Sequence, residues 1–308
     1  MTETSPDILD ADAGDVHVAA TSAHKSRLVD LYELTKPRMN FLVVITTAVG
    51  YYMAVRHSFE WARLLHTIFG TALTAAGASV LNQFIERKYD ALMPRTSDRP
   101  LPGGRINPAD ALFFGVTLGV CGVAYLALTV NTLTAVLGAF TLLSYVFVYT
   151  PLKRITSFNT VVGAVPGAIP PMMGVTAVTG AISPEALALF AILFLWQMPH
   201  FLAIAILYRD DYAAGGFKML PVVDHDLGVT GRQIVLYSIA LIPASIVPVS
   251  LGMAGVNYFV TAMLLGLAFL SFGISCATTG TRSDARKLFF SSILYLPLLF
   301  AGLMIDKM

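Results

Sequence analysis

Asn82, Glu86 and Asp90 stand four residues apart in the stretch N-Q-F-I-E-R-K-Y-D. On an α-helix that spacing puts all three on one face. A carboxamide and two carboxylates in a row suit a hard cation such as Mg²⁺, which keeps several waters and bridges to phosphate oxygens. The following stretch, M-P-R-T-S-D-R-P-L, carries Arg95 and Arg99, and guanidinium groups match phosphate oxygens bidentately. Together these residues fit a magnesium diphosphate. They also fit a solvated loop whose cations only set membrane topology. Asn82 and Glu86 close an apolar stretch, however, where polar groups are costly and point to function.

A second polar segment, Q-M-P-H-F-L-A-I-A-I-L-Y-R-D-D-Y, ends in Tyr208, Asp210, Asp211 and Tyr212, with Lys218 shortly after. It could hold a second metal, complete the shell of the first cluster, or be a solvated loop. Gln197 and His200 precede it inside an apolar run. His200 could bond a neighbouring helix, line a pocket or ligate a haem iron. Lys153 and Arg154 in Y-T-P-L-K-R could bind a diphosphate or a propionate, or only mark topology. Gly163, Pro166, Gly167, Pro170 and Pro171 crowd one apolar run, where small residues favour close helix packing as readily as substrate lining. The remaining histidines, His17, His24, His57, His66 and His225, read as surface residues of tails and loops.

The elements that must carry these residues are membrane helices. The 308 residues are 56% hydrophobic and only 13% charged, against about 25% charged in a soluble protein. A span needs about 20 apolar residues, and nine runs qualify: 39–55, 64–84, 110–130, 132–149, 160–180, 186–207, 233–252, 257–276 and 288–304. The expected fold is therefore all-α, a polytopic bundle over 29–308. An acidic segment over 1–28, unlike a signal or transit peptide, reads as a disordered cytoplasmic tail. With the N-terminus inside, seventeen of the twenty Lys and Arg fall on the inside, leaving only Arg56, Arg63 and Lys307 outside. That bias predicts N-in, C-out. The two long charged connections, 85–109 and 209–232, each follow the second helix of a group of four, which suggests two similar halves sharing one site. A net charge of +1 gives no argument for nucleic acid. Cys121 and Cys276 lie in apolar runs and read as small hydrophobes.

The stretch N-x-x-x-E-x-x-x-D followed by M-x-R-T-x-x-R-P-L resembles the first motif of the UbiA superfamily of intramembrane prenyltransferases. L-T-K-P-R at Leu34–Arg38, Y-T-P-L-K-R at Tyr149–Arg154, W-Q-M-P-H-F at Trp196–Phe201 and Y-R-D-D-Y at Tyr208–Tyr212 resemble the branch that farnesylates protohaem. The likeness covers about residues 30–305. It implies nine helices around a central cavity in the plasma (cell inner) membrane, with Mg²⁺, farnesyl diphosphate and protohaem IX as cofactor and substrates. It also implies a place in haem A and terminal oxidase biogenesis, with a haem A synthase or oxidase-assembly partner. By the same likeness Asn82, Glu86, Asp90 and Asp211 are catalytic, and Asp210 joins these four as a metal ligand. Arg38, Arg95, Arg99, Lys153, Arg154, His200, Tyr208 and Lys218 would bind substrate. Two departures stand out. Glu86 replaces the first Asp of the usual D-x-x-x-D, and Leu207 and Gly215 flank Asp211 where an acid pair would need a partner. Rival readings are a prenyltransferase for a quinone precursor and a transporter gated by the charged loops.

The charge bias predicts that single cysteines at Ser97 and Ala213, in a background lacking Cys121 and Cys276, react with an impermeant maleimide only from inside. Labelling of either in intact cells would reject the orientation.

Overall fold

The computed structural model describes residues 26–308. Of the acidic 1–28 segment only Ser26–Leu28 is described, and these residues open the first helix. The helices are α1 (Arg27–Leu34), α2 (Pro37–Ala54), α3 (Trp61–Asp90), α4 (Pro108–Thr129), α5 (Thr132–Leu143), α6 (Thr150–Leu152), α7 (Asn159–Thr179), α8 (Pro184–Leu207), α9 (Arg209–Ala214), α10 (Leu220–Val223), α11 (Gly228–Ser250), α12 (Val256–Thr279) and α13 (Arg282–Ile305). A π-helical turn, Ser144–Tyr149, joins α5 to α6 into one continuous rod. The described residues form no strand beyond an isolated bridge between Ala254 and Lys307.

The all-α membrane bundle is as expected, but the count of nine is not reached by length and hydropathy. Among the described residues eight helices meet both criteria. The one that falls short is α2, whose first turn carries Arg38 and Asn40. It nevertheless runs the depth of the bundle. Lys36, at its start, bonds Asn82 at the motif end, while the Tyr52 and Val55 carbonyls at its finish accept from Lys307 at the opposite end.

Neighbours follow the same order in two groups. Helices α2, α3, α4 and α5 pack each on the next, and so do α7, α8, α11 and α12, with α13 laid against α12 and α8. The groups meet mainly where α2 crosses α7. There the backbones touch: a Cβ on Gly50 would stand 2.0 Å from the Pro171 carbonyl oxygen, and one on Gly174 would stand 2.0 Å from that of Thr47. With no apolar solvent effect between helices in lipid, such close approach is what van der Waals attraction requires.

His66 departs from the surface reading. It lies within α3, and its Nδ1 is 2.7 Å from the Tyr125 hydroxyl of α4. Of the cysteines, Cys121 is exposed on the outside of the bundle and Cys276 is buried.

Gly174→Ala forces backbone against backbone, which no side-chain rotation relieves. It should cost about 1–3 kcal/mol, the usual range for overpacking, and lower the melting temperature of the detergent-purified protein. An unchanged melting curve would mean that the α2–α7 crossing is looser than described.

Candidate active site

The α3 helix continues past its apolar part to Asp90, so Asn82, Glu86 and Asp90 share one helical face as the spacing predicted. All three are buried, at 1%, 5% and 1% exposure. A buried charge must be paired: Glu86 and Asp90 each have a cationic partner, and the neutral Asn82 accepts from a third cation, each cation coming from a different segment.

Lys36 comes from the joint between α1 and α2. Its backbone is left-handed, φ 49° and ψ 58°, a conformation uncommon outside glycine. The following Pro37 disfavours the right-handed helical alternative. The turn is held by the Lys36 N–H donating to the Glu33 carbonyl at 3.1 Å, and by Met39 and Asn40 donating back to the Lys36 carbonyl. The side chain is thereby turned inward, and Nζ donates to Asn82 Oδ1 at 2.8 Å. Asn82 Nδ2 in turn donates to Thr150 Oγ1 at 3.1 Å. The Thr150 hydroxyl donates to the Tyr145 carbonyl at 2.8 Å, which ties α3 to the π-helical turn, a device that often accompanies functional sites.

Lys153, just past α6, sits 2.9 Å from Glu86 Oε1 and donates to Oε2 at 3.2 Å. Its ammonium also lies 4.7 Å from the centre of the Tyr149 ring. Arg99 meets Asp90 at 2.7 Å, and Thr96 Oγ1 donates to the Asp90 carbonyl at 2.8 Å, so the loop after α3 folds back over the helix end. Arg95 reaches the second segment. It lies 3.8 Å from Asp211, with its guanidinium 4.8 Å above the Tyr208 ring and 5.6 Å from that of Tyr212. The Lys218 N–H donates to the Lys153 carbonyl at 2.7 Å, and Asn159 Nδ2 donates to the Lys218 carbonyl at 3.1 Å. The connections 85–109, 150–158 and 209–232 therefore close over one end of the bundle.

Burial and neighbouring charges shift two of these cations in opposite directions. Burial, then the like charges of Arg99 and Lys153, pull Lys36 down to about 7 against the opposing pull of Glu86 and Asp90. Burial is the largest influence on Lys153 and disfavours its charge, but the Glu86 carboxylate together with Tyr149 and Tyr145 overcomes it and holds that ammonium well above its ordinary value.

Not every expected residue joins this cluster. Arg38 is exposed on the first turn of α2, while Lys36, two positions before it and not among the residues the resemblance implies, bonds Asn82. Asp210 is 83% exposed and pairs with Arg282 of α13 at 2.6 Å. Lys218 contributes its backbone, and its side chain is exposed. Arg154 is exposed, stacks on Tyr89 with its guanidinium 3.8 Å from the ring centre, and bonds the Tyr89 hydroxyl. His200 points at α13. Its Nδ1 lies 2.6 Å from Ser292 Oγ, its ring stacks between Trp196 at 4.8 Å and Phe289 at 5.2 Å, and Trp196 Nε1 donates to the Ser292 carbonyl at 2.9 Å. This is the helix–helix bond of the alternatives open for His200. Gln197 packs on α7, donating to the Ala164 carbonyl at 3.3 Å.

No group of three His, Cys, Asp or Glu converges on a point among the described residues. The donor set still suits a hard cation shared with a ligand. Asn82, Glu86 and Asp90 offer oxygens on one face, and Glu86 Oε1 is buried with an ion pair but no hydrogen bond. A metal held here would draw its remaining ligands from a phosphate group and water.

Residues 43–295 match the UbiA prenyltransferase family. The chain belongs to that family. It is 50% identical to the protoheme IX farnesyltransferase of Solibacter usitatus, over 90% of this chain and 98% of that one. The fold is similar to that of a digeranylgeranylglyceryl phosphate synthase, with a TM-score of 0.73 at 16% identity over 91% of this chain and 98% of the other. It is also similar to a UbiA homolog from Archaeoglobus fulgidus bound to DMAPP and Mg²⁺, with a TM-score of 0.60 at 16% identity, over 89% and 99% of the two chains.

His200→Ala should remove one buried hydrogen bond, worth about 1 kcal/mol, together with the stacking between Trp196 and Phe289. A lower melting temperature with unchanged pyrophosphate affinity and an unchanged Soret titration is the expected result. Loss of haem affinity at full thermal stability would instead assign His200 to substrate positioning.

Proposed function

We propose that this prenyltransferase moves the farnesyl group of farnesyl diphosphate onto a vinyl group of protohaem IX, with addition of water, to give haem O. The observation that carries the reading is the buried set of three paired partners at one bundle end, Lys36 with Asn82, Lys153 with Glu86 and Arg99 with Asp90. The acceptor is taken from the relative that shares half of its residues with this chain over nearly the full length of both.

A diphosphate is an anion of high charge, and it would favour the charged forms of Lys36, Lys153 and Arg99, which lie half-buried together at one bundle end. On its arrival Lys36, Lys153 and Arg99 would turn from α3 towards phosphate oxygens. That would free Asn82, Glu86 and Asp90 to hold Mg²⁺, with Asp211 the nearest acid of the second segment. When bound, the metal would supply positive charge beside the leaving diphosphate. Lys36, Lys153 and Arg99 would add fixed positive charge at the oxygens where negative charge develops as the C1–O bond breaks. The vinyl carbon would attack C1, the bonding pair would leave with the diphosphate, and water would add to the resulting cation with loss of a proton. No protein nucleophile is required. Apolar walls below the site would keep water from the allylic cation until the acceptor attacks. The basic bias of the loops supports a cytoplasmic position for this end at the plasma membrane, with the N-terminus inside and the C-terminus outside.

Purified protein given farnesyl diphosphate, Mg²⁺ and protohaem should yield a haem heavier by farnesyl plus hydroxyl in the mass spectrum. Asp90→Ala and Glu86→Ala should each reduce the rate by about 10³-fold, roughly 4 kcal/mol of barrier, while eluting as folded protein. Near-normal haem O from Asp90→Ala would remove the diphosphate site from α3. Transfer to an aromatic acid but not to haem would overturn the acceptor.

A further inference from the structure

Below the acidic cluster the interior is not fully packed. A crevice of about 20 Å³ lies between α2, α3, α5 and α7, walled by Val43, Ala75, Ala78, Leu142, Pro170 and Met173. Three threonines also reach it. A threonine in a helix ordinarily returns its hydroxyl to the carbonyl one turn back. Thr74 does so to Gly70 at 2.8 Å, and Thr141 to Leu137 at 2.8 Å. Thr71 is 2% exposed, and its hydroxyl has no hydrogen-bond partner. One polar atom is thus buried against an otherwise apolar crevice with nothing of the protein to bond.

The crevice continues the active-site face. Thr71, Ala75, Ala78, Asn82 and Glu86 recur at three- and four-residue intervals along α3, so they form one stripe running from the crevice up to the diphosphate residues. The opposite wall keeps the same order, because Leu142 on α5 leads through the π-helical turn to Thr150, the partner of Asn82. From Thr71 to Asn82 the helix rises eleven residues, about 16 Å at 1.5 Å each. An extended isoprene unit, four main-chain bonds of about 1.5 Å in zigzag, spans about 5 Å. Three units therefore reach from the level of Asn82 to Thr71, two stop short and four overrun it. At its present volume the crevice admits such a chain only as side chains part, and Leu142 and the unbranched thioether of Met173 are the ones able to rotate.

We propose that Thr71 gauges the length of the isoprenoid chain: the prenyl group lies along the Ala78–Ala75 stripe of α3 and its terminal unit stops against Thr71. The inference rests on the diphosphate site argued above and adds the residue that selects three isoprene units. Facing the terminal double bond, the Thr71 hydroxyl gains a weak contact to a π face that no protein group now provides.

Competition of geranyl, farnesyl and geranylgeranyl diphosphates against labelled inorganic pyrophosphate, on full-length detergent-purified protein, tests this. Thr71→Phe should shift the C15-to-C10 affinity ratio towards C10 by about tenfold or more, the scale on which apolar pockets reject extra carbons, with pyrophosphate affinity unchanged. Thr71→Ala should raise C20 relative to C15. If Thr71→Phe does not elute as a single species, the Thr71→Ala ratio decides. Wild-type chain-length ratios in a folded variant, with pyrophosphate still bound, would overturn the gauge and leave the diphosphate site standing. Failure of the wild-type protein to bind pyrophosphate would overturn both.

Discussion

Charge pairing at the end of α3 is the constraint on which the rest of the architecture depends. Glu86 and Asp90 are buried, and a carboxylate there persists only with a counter-charge at hydrogen-bonding distance. The counter-charges arrive from the turn after α6 and the loop after α3, and the α1–α2 joint sends a third cation, Lys36, to the neutral Asn82. Each pair therefore fastens a segment over the bundle end. A diphosphate that recruited the cations would exchange those pairs for contacts with its own charge. On the proposed function, the bound diphosphate would take over from these pairs in holding the loops over the site, which would keep water from a reactive cation.

Fastening the end is useful only if the helices beneath hold their places. That falls to contacts with little tolerance. The α2–α7 crossing leaves no room for a Cβ at Gly50 or Gly174, and Ser292 accepts from Trp196 through its carbonyl and meets His200 through its hydroxyl. At the far end Lys307 donates to the last carbonyls of α2 at 2.5 and 2.7 Å and lies over the Tyr52 ring, a cation at a helix C-terminus where the helix dipole favours it. The frame is fixed at both ends and at its central crossing. Thr71, with its unpartnered hydroxyl, lines a crevice on the same α3 face that carries the charged cluster.

Legibility differed residue by residue. The Asn82, Glu86, Asp90 face could be read directly, because a helical period converts spacing into direction without help from the rest of the chain. Asp211 and Arg95 were legible as types, but their contact was not, since 116 residues separate them. Lys36 was passed over in favour of Arg38, two positions along. Choosing between them needs the left-handed turn at Lys36, which Pro37 hints at but only the packing of α1 on α3 secures, through Gln83 Nε2 donating to the Leu34 carbonyl at 2.7 Å. Asp210 and Asp211 are neighbours of one type, and α9 turns one towards Arg282 and the other towards Arg95.

The sequence by itself determined the membrane fold, the family and the helical face that carries the acidic cluster. Those properties follow from local composition and periodicity, which act over one or two turns of chain. It set the helix count only to within α2, whose polar first turn lowers its hydropathy while its packing carries it through the bundle. Which cation meets which acid, where His200 finds its partner and which threonine is left without one were decided by the tertiary structure alone. Each depends on the rotation of one helix against another, and that rotation is set by contacts among residues far apart in the chain.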